Sequence, residues 1–407
     1  MKYIVMLGDG MADEPVPELA NRTPLQAANK PVMDRLAQNG EVGLVATTPE
    51  GMEIGSVTTN LGILGYNQHQ YYTGRSPLEA ISMGIQLKDT DVTLRMNLVN
   101  LSENQSHYED RTMVDYSADE ITTQEATELV QYLAAYFNND SFTLYPGISY
   151  RHCLVWDHGV MGNELTPPHD IAGRRIGHYL PRGEGAPELL AMMKESANLL
   201  SVHPLNQRRK ERGLKPANSV WFWGAGVKPS MPTMWEKYHK RGAMVSAVDL
   251  LKGLGICAGL DIIEVEGATG NIDTNFEGKA QAAIDALRDH DFVYIHVEAP
   301  DECGHRHEVE NKVKAIEYID GRILAPVTAA LEEQGEPYHI LVLPDHPTLL
   351  TTRGHSDQPV PYILYRSEAP QASGIVNYNE QTGRSAGNFI AHGYDLLDRL
   401  FAANGKE

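Results

Sequence analysis

Acidic and imidazole side chains recur in this 407-residue chain at the places where apolar runs give way to polar ones. Asp9 follows the run Tyr3-Ile4-Val5-Met6-Leu7. Asp301 and His305 stand in Ala299-Pro300-Asp301-Glu302-Cys303-Gly304-His305, Asp345 and His346 lie between Pro344 and Pro347, and His355 sits in Gly354-His355-Ser356. Asp301 and His305 are four apart, so one helical turn places their Cβ atoms roughly 5–6 Å apart on one side, a spacing that suits a shared cation. Asp345 and His346 would face opposite ways in a regular strand, but the two prolines deny regular pairing and let both turn inward. Carboxylate and imidazole together fit Mn²⁺, Zn²⁺ or a similar ion, whereas an all-oxygen shell would favour Mg²⁺ or Ca²⁺. Any one of these residues alone is explained as a cap, a turn residue or a surface group. Several carboxylates buried together are not, because they repel and are costly to desolvate without a compensating cation. The expectation is a di-metal site.

Ser56 is the nucleophile candidate. It follows Gly55 and opens an apparently helical segment, Ser56-Val57-Thr58-Thr59-Asn60-Leu61. An N-cap serine explains the same spacing. Beside a metal site, however, a hydroxyl at a helix N-terminus has N–H groups and a positive dipole aimed at an anion, and a bound cation lowers its pKa. That combination suits phosphoryl transfer.

These residues need a scaffold that gathers them. The short β-rich runs 2–7, 292–297 and 340–343 each end in polar residues, and helical patterns at 31–38, 280–288 and 323–333 alternate with them, which predicts a mainly parallel sheet. Ligands of such sheets bind beyond the carboxyl ends of the strands, where the Asp and His residues lie. Between 86 and 214 the texture changes to strands at 92–98, 108–114 and 149–156 with helices at 124–137 and 187–200. This reads as an inserted α+β domain, leaving 1–85 and 215–407 as the core domain. The charged segment 208–215 reads as a solvated connector. With 54 Asp and Glu against 34 Lys and Arg, the formal charge is −20. Neither nucleic acid nor an anionic membrane surface is an expected partner. No run approaches the ~20 apolar residues of a spanning helix, and the first apolar run is too short for a secretory signal, so a soluble cytoplasmic protein is expected. Cys153, Cys257 and Cys303 are far apart and read as buried apolar residues.

The chain resembles the archaeal-type 2,3-bisphosphoglycerate-independent phosphoglycerate mutases of the alkaline phosphatase superfamily. The resemblance spans nearly its whole length through Leu7-Gly8-Asp9-Gly10-Met11-Ala12-Asp13, Thr23-Pro24-Leu25-Gln26-Ala27-Ala28, Gly55-Ser56, Leu64-Gly65-Tyr66, Tyr72-Thr73-Gly74-Arg75-Ser76-Pro77-Leu78-Glu79-Ala80, Met113-Val114-Asp115-Tyr116-Ser117-Ala118, Tyr150-Arg151-His152, Thr166-Pro167-Pro168-His169-Asp170 and the late metal motifs. It implies an α/β fold of alkaline-phosphatase type: a mainly parallel sheet flanked by helices, with a smaller α+β insert that encloses substrate. It implies two divalent ions, Mn²⁺ first, with Zn²⁺, Co²⁺ or Mg²⁺ as alternatives. Asp301, His305 and His355 would hold one ion, and Asp9, Ser56, Asp345 and His346 the other. The implied activity is an isomerase of glycolysis that interconverts 3-phosphoglycerate and 2-phosphoglycerate through a phosphoserine. A phosphomonoesterase, or a mutase of another phosphorylated metabolite, is the alternative, and self-association into a homo-oligomer stays open. Two positions depart from the family pattern: Val57 follows the serine where many relatives carry an acidic residue, and Glu120 stands where relatives often carry the histidine of a Gly-His pair.

For binding a phosphorylated small molecule, the basic candidates are Arg75, Arg95, Arg151, His152, Arg208 and Arg212, since arginine forks match phosphate and carboxylate. Each is also explained as an ordinary surface residue. His169 and Asp170, behind two prolines, are acid/base candidates. The aromatics of Trp221-Phe222-Trp223 read as core.

Overall fold

Three short runs, Lys2–Gly8, Phe292–Val297 and Tyr338–Leu343, form the centre of an eight-stranded sheet. All three are apolar along almost their full length and buried on both faces, the pattern of parallel strands covered by helices. In the computed structural model, which describes residues 1–402, the strand order is Phe389–Ile390, Glu41–Val45, Val360–Arg366, Tyr338–Leu343, Lys2–Gly8, Phe292–Val297, Gly242–Val245, Asp261–Ile262. The five strands from Tyr338–Leu343 to Asp261–Ile262 run parallel; Val360–Arg366 is antiparallel to both of its neighbours. Register matters most for function. Leu7 lies opposite both His296 and Leu343, and Gly8 opposite Val297, so the residues that follow these three strands emerge side by side.

Helices Pro31–Gln38, Phe276–Asp289, Val309–Tyr318 and Ala325–Glu333 contribute their apolar stripes to one core with the sheet, including Met33, Leu36, Ala280, Ala283, Ile316 and Val327. A π-helical turn, Ile319–Leu324, joins the last two, so the helical pattern expected at 323–333 is the end of a longer helical path. The Asp320 carboxylate on that turn accepts the N–H groups of Val32 and Met33 and so ties it to the start of Pro31–Gln38.

The chain divides into two compact units, residues 1–72 with 230–402 of the described chain, and Thr73–Pro229. The second unit thus starts before and ends after the expected 86–214. The reason is a pairing that periodicity cannot reveal: Ser219–Val227 runs antiparallel along Asp91–Leu101, and helix Ser76–Ser82 packs on that strand. Its sheet has Asp91–Leu101 between Arg151–Asp157 and Ser219–Val227, with Phe142–Tyr145 beyond Arg151–Asp157 and Met113–Asp115 at the other end of the path. The expected strand at 108–114 is instead a 3₁₀ turn, Tyr108–Asp110, followed by that short strand. Helices Thr123–Phe137 and Ala186–Ser201 cover the unit's own core.

The segment 208–215 is mostly exposed, as expected, but it is not a plain connector and one of its residues is buried. Helix Pro204–Glu211 contains its first half, and Arg209 is 1% exposed. The Arg209 guanidinium donates to the Glu125 carboxylate and to the carbonyls of Ala118 and Lys215, which satisfies a buried cation. Cys153 and Cys303 are buried free thiols, and Cys257 is half-buried. No helix among the described residues is long and apolar enough to cross a membrane.

Candidate active site

The in-register strand ends of the first unit deliver the acidic and imidazole residues to one place. Asp9 leaves the first strand, with its N–H donating to Val297. Helix Ala299–His305 begins two residues after the strand Phe292–Val297 and carries Asp301 and His305 one turn apart, their side chains 3.3 Å from each other. Asp345 and His346 follow Tyr338–Leu343. A two-residue ribbon then pairs Thr348 with His355 and folds that histidine back over the same point. Gly10 makes the convergence sterically feasible: its φ is +61°, and a Cβ there would lie 2.4 Å from Thr348 Oγ1 and 2.7 Å from Asp301 Cα.

Two overlapping groups result. His346 Nε2 is 3.5 Å from Asp9 Oδ1, 3.4 Å from Asp345 Oδ2 and 3.4 Å from Ser56 Oγ. Asp301 Oδ1 is 3.4 Å from His355 Nε2, and the Nε2 atoms of His305 and His355 are 3.0 Å apart. His346 also offers an atom within 4.8 Å of Asp301 and His355, so it stands between the two groups and not in one alone. Asp9, Asp345 and His346 are fully buried, while Ser56, His305 and His355 form the half-exposed side from which a ligand can approach.

Hydrogen bonds set the protonation pattern. His305 Nδ1 faces the carbonyl of Arg353 at 2.9 Å and His355 Nδ1 that of Ile54 at 3.3 Å; a carbonyl only accepts, so both Nδ1 atoms carry the proton. The Thr348 hydroxyl donates to Asp301 Oδ1, leaving its oxygen to accept from His346 Nδ1 at 3.2 Å. All three imidazoles therefore turn an Nε2 lone pair towards carboxylate oxygens, an arrangement that repels itself unless a cation sits among the donors. Other features agree. Asp9 Oδ1 is buried without a hydrogen-bond partner. Burial, followed by the charges of Asp345 and Asp301, pushes the Asp9 carboxyl well above its ordinary range. With no ion between them, a protonated His305 would donate from Nε2 to Asp301, and that bond pushes its pKa up to about 9, so this point draws positive charge. The donor set thus fits two divalent ions.

Ser56 is the first residue of helix Ser56–Ile63, whose N-cap is Gly55. The serine is not the cap, and no side chain caps the helix, so its opening N–H groups have no side-chain acceptor. Where the family pattern has an acidic residue, Val57 is buried. The same helix carries residues the sequence gave no reason to single out. Thr59 Oγ1 and Asn60 Nδ2 both donate to Asp345 Oδ2 at 3.0 Å, and the Tyr294 hydroxyl donates to Asn60 Oδ1. Asp345 Oδ1 accepts from Gly10 N at 3.1 Å and His346 N at 3.0 Å, so four donors hold this carboxylate. Behind it, the fully buried pair Lys312–Asp13, 2.7 Å apart, ties the loop after the first strand to the carbonyl of Thr348 and the N–H of Leu350.

The second unit sorts the remaining candidates. Arg95 stacks on Trp223 with its guanidinium carbon 4.0 Å from the ring centroid and pairs with Glu79 at 3.0 Å. Burial lowers its pKa first, with Arg75 and Arg151 adding to the effect and Glu79 opposing it, so three arginines share this region. Arg151 lies over Tyr150, and His169 makes edge contacts with Trp223 and Tyr116. Trp223 is thus a platform, whereas Trp221 and Phe222 are core as expected. Asp170 is 3.7 Å from His169. His152 departs from expectation: it pairs in register with Met96, is 5% exposed and accepts the Gly147 N–H through Nδ1, and burial pulls its pKa down to about 3. Arg208 on helix Pro204–Glu211 and Arg212 at its C-cap form ion pairs with Glu128 and Glu125, away from the Arg95 platform in the contacts they make. Glu120 is exposed, the third of three consecutive residues with positive φ.

Residues 37–206 match the family described as 2,3-bisphosphoglycerate-independent phosphoglycerate mutase, and residues 156–353 the type I phosphodiesterase / nucleotide pyrophosphatase family. A Geobacter sulfurreducens protein named "Probable 2,3-bisphosphoglycerate-independent phosphoglycerate mutase" is 50% identical over 98% of this chain and 99% of its own. The 2,3-bisphosphoglycerate-independent phosphoglycerate mutase of Methanosarcina barkeri is 45% identical over 99% of this chain and all of its own. Among solved structures, the cofactor-independent phosphoglycerate mutase of Thermoplasma acidophilum superposes with a TM-score of 0.70 at 26% identity, covering 98% of this chain and 99% of that one. A Pyrococcus horikoshii protein superposes with a TM-score of 0.82 at 27% identity, covering 100% and 99%. At this identity over nearly the whole length of both chains, the chain belongs to the 2,3-bisphosphoglycerate-independent phosphoglycerate mutases.

Proposed function

We propose that this chain is an isomerase of glycolysis that interconverts 3-phosphoglycerate and 2-phosphoglycerate through a phosphoserine at Ser56. The observation that carries the reading is the Ser56 hydroxyl at the head of an uncapped helix, 3.4 Å from the imidazole that stands between the two ligand groups. We assign Asp301, His305 and His355 to one ion and Asp9, Ser56, Asp345 and His346 to the other, with Mn²⁺ as the metal. Such ions supply neutralisation of the phosphoryl oxygens and a lowered pKa for the serine hydroxyl.

The protein's own groups do the rest. Ser56 Oγ attacks phosphorus in line, the ester bond to the glycerate oxygen breaks, and the glycerate hydroxyl regains a proton; reversal with the other hydroxyl gives the isomer. The helix N–H groups beside Ser56 favour the anionic phosphoryl. We assign the retained glycerate to the second unit: Arg75, Arg95 and Arg151 for its carboxylate, with His169 and Asp170 moving protons on and off its hydroxyls. Glycerate must be held, because water competes for the same phosphorus. The substrate is a metabolite of the cytoplasm, and we place the enzyme there.

The test is incubation with 3-phosphoglycerate and Mn²⁺, coupled to enolase, with inorganic phosphate followed in parallel. Formation of 2-phosphoglycerate without equivalent phosphate supports the mutase. Predominant phosphate release would make the chain a phosphomonoesterase.

A further inference from the structure

His296 lies inside the apolar strand Phe292–Val297, fully buried and opposite Leu7. Its Nε2 is 2.8 Å from Asp9 Oδ2, and its Nδ1 is 3.2 Å from Ser246 Oγ. Ser246 follows the neighbouring strand Gly242–Val245, and its Oγ accepts the N–H of Val248 at 3.1 Å. The hydroxyl proton of Ser246 is therefore the one directed at Nδ1, and the imidazole, neutral in this buried setting, carries its proton on Nε2. A one-way chain results: Val248 N–H to Ser246, Ser246 O–H to His296, His296 Nε2–H to Asp9. The backbone of His296 is held too, since Lys279 Nζ donates to its carbonyl at 3.0 Å.

The consequence falls on Asp9. One carboxylate oxygen is occupied by the imidazole, and the other, Oδ1, is buried with no hydrogen-bond partner and lies 3.5 Å from His346 Nε2. A buried His–Asp pair serving stability alone would not leave an acceptor orphaned, because that costs free energy for no return. We propose that His296, with Ser246 behind it, is a positioning residue that commits Asp9 to the metal through Oδ1 alone and holds that oxygen on line. The imidazoles of His305, His346 and His355 turn a lone pair inward; His296 does the opposite, presenting a proton to the back of a ligand. The inference rests on Asp9 being a ligand of one ion.

The experiment is calorimetric titration of chelator-stripped, full-length protein with Mn²⁺, comparing wild type, Asp9→Ala, His296→Leu, His296→Gln and Ser246→Ala. His296→Leu is expected to weaken one of the two sites by about 10–100-fold and leave the other unchanged. His296→Gln, whose amide N–H reaches a similar point, is expected to recover most of that loss, which a purely structural role would not predict. Ser246→Ala is expected to weaken the same site by a smaller factor. If Asp9→Ala loses a site while His296→Leu, with a wild-type circular dichroism spectrum, binds both ions normally, the positioning role is refuted. Should His296→Leu fail to fold, an unchanged affinity in Ser246→Ala, or a weakened one in His296→Gln, refutes it equally. If Asp9→Ala retains both sites, the ligand assignment fails instead.

Discussion

Thr348→Val is the substitution most informative about the ligand shell. Valine is nearly isosteric with threonine, and Thr348 is fully buried, so the change opens no cavity and removes only the hydroxyl. That hydroxyl donates to Asp301 Oδ1 and accepts from His346 Nδ1, and so orients one ligand in each group. A hydrogen bond to a charged group is worth about 1.5–3 kcal/mol, and a buried N–H left unpaired costs about 1–3 kcal/mol. The combined loss of roughly 3–6 kcal/mol, divided between two ions at 1.4 kcal/mol per decade, amounts to about 10–100-fold in affinity for each. Mn²⁺ titration by calorimetry reads this directly, and the Mn²⁺ dependence of the enolase-coupled rate gives a second measure. Both sites should weaken in Thr348→Val, whereas Thr348→Ser, which keeps the hydroxyl, should stay close to wild type. Wild-type affinity at both sites in Thr348→Val, or weakening confined to one, would sink the claim that this side chain links the two groups.

Ser56→Ala should abolish isomerisation while leaving the fold intact, since Gly55 and not Ser56 caps the helix; a variant that still isomerises at a near-normal rate removes the covalent mechanism. Arg151→Ala should lower 2-phosphoglycerate formation more than phosphoserine formation and raise the ratio of phosphate release to isomerisation, measured from one reaction; an unchanged ratio and rate makes Arg151 a bystander. Lys312→Met should cost about 3–5 kcal/mol in urea unfolding because it strands the buried Asp13 carboxylate, and Asp13→Asn added to it should recover much of the loss; a single-variant cost below about 1 kcal/mol contradicts this. The Asp115 carboxyl, though burial alone would raise it, is held down to about 2 by Lys215 and by the Ser117 hydroxyl and N–H groups. Its folded value is below the unfolded one, so its stabilisation is present above pH ~4 and is lost as pH falls through about 2. Asp115→Asn should therefore flatten the acid limb of stability followed by circular dichroism, and an unaltered limb would count against the pairing.

What could be read from the chain beforehand follows from how each feature is encoded. Parallel strands buried on both faces are continuous apolar runs, and their abrupt ends marked Asp9, Asp301 and Asp345 as neighbours before any pairing was known. His296 and Tyr294 were invisible for the same reason, because a polar residue within such a run reads as one more strand member until its partner in space is known. Thr59, Asn60 and Thr348 act by single hydrogen bonds to ligands nearly 300 and about 50 positions away, which no local spacing reports. The limits of the second unit depend on Ser219–Val227 reaching back to Asp91–Leu101, again a long-range pairing. Pro204 at the first turn of its helix was the available sign that 208–211 is helical, but the density of charge masked Arg209, which stays buried because Glu125 and two carbonyls surround it.

The shell explains why such hidden residues matter. Each imidazole that turns a lone pair inward has its Nδ1 proton claimed by an oxygen acceptor: the carbonyl of Arg353 for His305, that of Ile54 for His355 and the hydroxyl of Thr348 for His346. A histidine without that acceptor can exchange tautomers or rotate, and its lone pair then points along the required line for only part of the time. Asp345 is held by four donors, two of them from the helix that carries Ser56, so the directions of the Ser56 hydroxyl and the Asp345 carboxylate are set by the same bonds. The orientation of Ser56 is therefore inherited from Thr59 and Asn60, one turn along its own helix. Val57, beside the serine, is buried, and the polar ties of this helix to Asp345 come from Thr59 and Asn60.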